Sequence, residues 1–156
     1  MRYLLFAALL LTFASCTKDK QEEPMVNEFN IWDGPTIEFT KEAEVDPMVE
    51  ANQDRITSSV WITRGNDGGQ IFNIAEEAEY NKQNSPTGTR WAVGELSEVE
   101  SLTFNSLRGT LENPKDHVGT NLVMHIVEED VYLSVKFTRW DQNKAGGFTY
   151  ERSTEN

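Results

Sequence analysis

The sequence predicts an all-β domain, an antiparallel two-sheet β-sandwich, with a β-barrel as the structural runner-up. Three observations point there. Beyond about Asn27 apolar and polar residues alternate at period two, in runs broken by Gly, Asn and Asp. Roughly eight or nine such runs recur at short spacing. No amphipathic pattern reaches three turns of helix.

The elements follow in chain order. Residues 36–40 alternate over a short length, and a helical turn is expected over 47–52, with Asp46 as cap and Pro47 as first residue. Residues 59–63 and 70–74 flank Gly65-Asn66-Asp67-Gly68-Gly69, where an Asp-Gly step can take the positive φ angles of a tight hairpin. A second helical turn is expected over 75–80, then strands over 90–93 and 101–104. The strongest signal closes the chain. Residues 122–127 form one β-rich run, Glu128-Glu129-Asp130 is short enough for a hairpin loop, and residues 131–138 alternate without a break. Val131, Leu133, Val135 and Phe137 share one face; Tyr132, Ser134, Lys136 and Thr138 share the other, as in a strand buried on one side. The loop 141–147 then leads to a third strand over 148–152.

The N-terminus carries a different message. Arg2 is followed by an uncharged, apolar stretch and then by Thr12-Phe13-Ala14-Ser15-Cys16. A basic start, a short apolar core and small residues before a cut site read as a signal peptide over residues 1–15. The 12 residues Tyr3 to Ala14 would reach only ~18 Å as a helix, short of the ~30 Å hydrocarbon core. Ending on Cys16, the only cysteine, this segment resembles the lipobox of bacterial lipoproteins. That resemblance implies that Cys16 is acylated as the first mature residue and anchors the protein to a membrane by two or three acyl chains, such as palmitate. Lys18-Asp19-Lys20-Gln21-Glu22-Glu23 resembles the charged export tags of Bacteroidetes-type surface lipoproteins. The implied location is the outer membrane, facing the periplasm or the cell surface. Residues 16–27 then form a disordered tether and residues 28–156 a single domain. With Cys16 lipidated, the mature chain has no thiol for a disulfide, a zinc-thiolate site or a nucleophile.

Charge bounds the partners. Losing residues 1–15 removes one charged residue, Arg2, so 141 residues remain and the side-chain charge goes from −12 to −13. Such acidity disfavours nucleic acid and anionic lipid surfaces, and suits cations or neutral ligands such as glycans.

No catalytic set is visible. The two histidines, His117 and His125, are read as structural, and no G-x-S-x-G elbow or H-E-x-x-H motif occurs. With 26 acidic residues, a pair of carboxylates suited to glycoside hydrolysis is expected by chance and carries no information. Asp33, Asp46, Asp54, Asp67 and Asp141 fall in loops where calcium ligands are often found, so calcium is the one cofactor considered; none lies in a full calcium-loop motif, and turn formation is the plainer role. Aromatic residues are more suggestive. Trp140, Tyr132 and Tyr150 are the candidate ligand contacts, since flat sugar faces stack on exposed rings. By strict alternation Trp140 faces outward with Tyr132, although a bulge at Arg139 would turn it inward. Trp61, between Val60 and Ile62, is read as core.

Ala51-Asn52-Gln53-Asp54-Arg55-Ile56, Val60-Trp61-Ile62-Thr63-Arg64, the run from Val131 to Trp140 and Gly146-Gly147-Phe148-Thr149-Tyr150-Glu151-Arg152-Ser153 resemble a module of secreted and surface proteins of Bacteroidetes. The resemblance implies location and fold, and no activity. The leading expectation is a non-enzymatic, lipid-anchored envelope or surface domain that binds or displays, with a glycan as ligand class. The alternatives are a small extracytoplasmic polysaccharide hydrolase using paired carboxylates and a structural envelope component.

Overall fold

The computed structural model describes residues 29–156; Cys16 and the segments expected to be a signal peptide and a disordered tether lie outside the described residues. Among the described residues nine strands form two sheets. They are β1 (Asn30–Trp32), β2 (Ile37–Lys41), β3 (Asp54–Arg55), β4 (Trp61–Arg64), β5 (Ile71–Asn73), β6 (Thr89–Val93), β7 (Leu122–Ile126), β8 (Val131–Trp140) and β9 (Phe148–Arg152). The larger sheet runs β2-β9-β8-β7-β6, and the smaller runs β3-β4-β5. All these pairings are antiparallel, and the barrel alternative is excluded because the sheets stay open. β1 alone pairs in parallel, extending the sheet beside the first half of β8.

Parity in β8 sets the core. Val131, Leu133, Val135 and Phe137 face inward, opposite Leu122, Met124 and Ile126 on β7 and beside Phe148 and Tyr150 on β9. Ile56, Val60, Ile62 and Ile71 of the smaller sheet and its connections close over them. The short helix α1 (Leu107–Leu111) adds Leu107 and Leu111 to the same core; Ser106 caps it, its Oγ accepting from the Gly109 N–H at 3.2 Å.

The reverse face of the larger sheet differs from the expected one-sided strand. Val123 and Tyr132 are buried there under Phe29, Ile31, Leu96, Leu102 and Phe104. Tyr132 stacks on His125 with ring centroids 4.1 Å apart and meets Phe29 and Phe104 edge-on. The strand expected over 101–104 is instead the exit from a 3-10 helix, Leu96–Ser101, followed by a single bridge between Asn105 and Trp91. Its alternation was real, but it serves to dock Leu102 and Phe104 on a sheet already formed. The turn over 75–80 does not become helical, and the expected helical turn at 47–52 shrinks to a 3-10 helix over Glu50–Asn52. Asp46 still acts as a turn former, its Oδ1 accepting from the Met48 N–H at 2.9 Å. The hairpin between β4 and β5 turns as expected, with Gly68 at φ 106° and Gly69 at φ 85°.

Two polar clasps join the sheets. At one, the Asp54 carboxylate of β3 takes a bidentate ion pair from Arg152 of β9, Nε to Oδ2 at 2.6 Å and Nη2 to Oδ1 at 2.9 Å. The Tyr150 hydroxyl donates to the same Oδ2 at 2.6 Å. Burial works against the Arg152 charge, but the Asp54 hydrogen bonds and charge outweigh it and hold the guanidinium above its ordinary pKa. Burial first, and then the Asp54 carboxylate, raises Tyr150 well above 10.0. Tyr150 is therefore expected to stay protonated through the range near pH 10 where exposed tyrosines ionise. Because its folded pKa exceeds the unfolded one, its stabilisation is complete below about pH 10 and is lost as pH rises further. Absorbance titration at tyrosinate wavelengths, run beside near-UV circular dichroism, checks this: one tyrosine should ionise only with unfolding.

Candidate ligand cavity

The second clasp builds a site. The ladder between β8 and β9 slips between Phe137 and Arg139, leaving Thr138 without a partner. This bulge reverses the alternation, so Trp140 turns toward the core and not outward as strict alternation required. Its ring meets Phe137 edge-on at 5.2 Å and Phe148 at 6.2 Å. The Arg64 guanidinium, at the end of β4, lies over one face of the ring at 4.1 Å from the centroid.

Arg64 ties two loops to this ring. Its Nε donates to the Gly69 carbonyl at 3.1 Å, and Nη1 donates to the carbonyls of Asp141 and Gly147 at 3.0 and 2.9 Å. Lys41 makes the parallel tie from β2, its Nζ donating to Asn66 Oδ1 at 2.9 Å and the Gly146 carbonyl at 3.3 Å. Burial lowers Arg64 to about 10, partly offset by the Asp141 carboxylate, so it remains charged at neutral pH. Burial and then the Arg64 charge lower Lys41, with Asp46 acting the other way. Two buried cations thus pin the β4–β5 hairpin to the β8–β9 loop.

Between these loops, α1 and the 3-10 helix Pro114–His117 lies a cavity of about 300 Å³. Its charged lining is Arg64, Arg108, Lys115, Lys144 and a single acid, Asp141. That inverts the balance of a chain with 26 acidic and 14 basic residues. Arg108 is half-buried and Lys144 exposed; among the described residues neither forms an ion pair. Lys115 is paired with Asp116 at 2.8 Å, and both remain about half exposed. Gln70 also lines the cavity and is only 2% exposed. Its Nε2 donates to the carbonyls of Asn81 and Ser85, whereas its Oε1 has no partner. A larger recess of about 580 Å³ near Thr87, Arg90 and Asn105 holds no aromatic ring and one charged side chain, so it offers less to a ligand.

The three expected contact residues do not converge. Trp140 lines the cavity, with one ring face already covered by Arg64. Tyr150 is 1% exposed within the core and its hydroxyl is spent on Asp54, so it has no surface for a ligand. Tyr132 is 9% exposed on the opposite face of the larger sheet. Trp61 also departs from expectation. Ile62 is the residue that enters the core, and Trp61 is half-buried beneath the Arg55 guanidinium at 4.2 Å. His125 lies 2.9 Å from Asp130 through Nε2, and no hydroxyl is hydrogen-bonded to either histidine among the described residues. The five loop aspartates do not assemble. No group of three metal-ligating side chains occurs among the described residues, and Asp54 is committed to its buried ion pair.

Arg64, Arg108, Lys115 and Lys144 were not singled out by the sequence. They sit on four separate segments, and each is an ordinary surface residue type. Only the length of the loop after Trp140 hinted at their meeting place.

No protein-family model matches the chain, and no solved structure matches it. A similarity of 36% identity over 86 residues exists to the structural polyprotein of infectious pancreatic necrosis virus (strain Sp). It covers 47% of this chain but spans only 9% of that polyprotein.

Proposed function

We propose that this protein is a lipid-anchored, non-enzymatic β-domain of a bacterial cell envelope, held at the outer membrane through Cys16, and that it binds a glycan at the Trp140 cavity. The observation that carries the binding role is the cavity itself, a recess lined by the Trp140 ring and by Arg108 and Lys144, neither of which is paired among the described residues. Ligand sites are concave recesses on which polar groups converge, and here cations and amides do so beside one aromatic ring. The anchor rests on the signal segment and Cys16. Two or more acyl chains suffice for stable attachment without a spanning helix.

Two measurements test this reading. Cys16→Ser is expected to move the protein from the membrane to the soluble fraction; retention of the variant after a carbonate wash would refute lipidation. The full chain in detergent is expected to bind a subset of a glycan array, and a blank array would remove the glycan role. Trp140→Ala is a poor probe here, because Trp140 packs on Phe137, Phe148 and Arg64.

A further inference from the structure

We propose that the glycan of the Trp140 cavity is an anionic saccharide, bearing carboxylate or sulfate groups; this rests on the glycan reading above. Acidity of the whole chain suggested neutral ligands or cations, and the cavity reverses that suggestion locally. Four of its five charged lining residues are basic. Arg64 is consumed by three carbonyls and by the Trp140 ring, so it supplies field and not contacts. Arg108 and Lys144 are different. Among the described residues neither makes a side-chain hydrogen bond or an ion pair, although the chain offers carboxylates in excess. In a concave site a small cluster of cations is focused by the surrounding low dielectric, whereas the acidic remainder of the surface repels polyanions.

That combination selects a particular kind of anion. An extended polyanion such as nucleic acid needs a long basic stripe to displace counterions, and here the cations are confined to one recess of about 300 Å³. That volume lies at the low end of ligand pockets, about 300–1,000 Å³, and admits a terminal unit or a short segment. Neutral lining groups complete the match. Asn113, Gln142 and Asn143 offer amide donors and acceptors for ring hydroxyls. A lining that combines guanidinium, ammonium and amide groups suits a sugar that carries both a charge and hydroxyls.

The test titrates the full-length protein in detergent with four probes: a galacturonate hexamer, a heparin hexasaccharide, maltohexaose and inorganic sulfate. At least one charged hexasaccharide should bind about tenfold or more tightly than maltohexaose, and its affinity should fall as salt is raised. Whichever of the two binds more tightly identifies the anion as carboxylate or sulfate. Arg108→Gln and Lys144→Gln should each weaken that binding about tenfold, the scale of a lost charged hydrogen bond. Lys136→Gln, on the outward face of β8 and away from the cavity lining, should leave it unchanged. Equal affinity for maltohexaose, insensitive to Arg108→Gln and Lys144→Gln, would overturn the anionic assignment and leave the glycan reading standing. Failure of every saccharide to bind would bring down both. Inorganic sulfate binding as tightly as the oligosaccharides would show a small-anion site and overturn the saccharide assignment.

Discussion

Asp54→Ala is expected to destabilise the fold by about 3–5 kcal/mol, measured by denaturant unfolding. The carboxylate is buried between the sheets, with both oxygens committed to Arg152 and one shared with Tyr150. Its removal strands a guanidinium and a phenol hydroxyl where water cannot reach them. Much of the loss is therefore the cost of leaving partners unpaired, and not the strength of the ion pair itself. The triple variant Asp54→Leu, Arg152→Met, Tyr150→Phe separates these contributions. Removing all the polar groups together is expected to recover most of the lost stability, since apolar replacement of a buried pair is often neutral or favourable. A loss within about 0.5 kcal/mol for Asp54→Ala would mean that the carboxylate is solvated and that the sheets are not clasped there.

Phe137→Ala is the second large effect, again about 3–5 kcal/mol. Its ring is fully buried and touches Trp91, Trp140 and Tyr150, so truncation opens a cavity whose aromatic walls cannot collapse easily. Typical domains are stable by only about 5–15 kcal/mol, which makes this loss visible as a large drop in the unfolding midpoint. Lys136→Ala, one residue away on the outward face, should stay within about 0.5 kcal/mol. The contrast depends on register, because a one-residue slip would exchange the two side chains. Similar losses for both variants would refute the observed pairing of Phe137 with Tyr150.

How far the chain could be read follows from the range of each interaction. The C-terminal strands were legible because their signal is local. Residues 131–137 alternate without interruption, and their pairing partners adjoin them in sequence. β1 and β3 were not legible: β1 is three residues long and pairs Asn30 with the distant Val131, and β3, although it pairs with the adjacent β4, has only two residues and so too few to alternate. The failure at residues 101–104 has the same root. Alternation shows that one face is apolar but not which surface covers it, and here the cover is the back of a sheet.

The sequence by itself determined the all-β class, the inward face of β8 and the acidity of the surface, and it carries the N-terminal segment from which an anchor is proposed. These rest on composition and on contacts between neighbours in the chain. Tertiary structure alone decided that Tyr150 and Asp54 form a buried clasp, that Trp140 turns inward at a bulge, and that Arg64, Arg108, Lys115 and Lys144 surround one recess. Period-two reasoning assigns a face to each residue, but a single extra residue in one strand inverts every assignment beyond it. A cluster drawn from four distant segments leaves no periodicity at all, because the loops that bring its members together are shaped by hydrogen bonds from Arg64 and Lys41 across the interior.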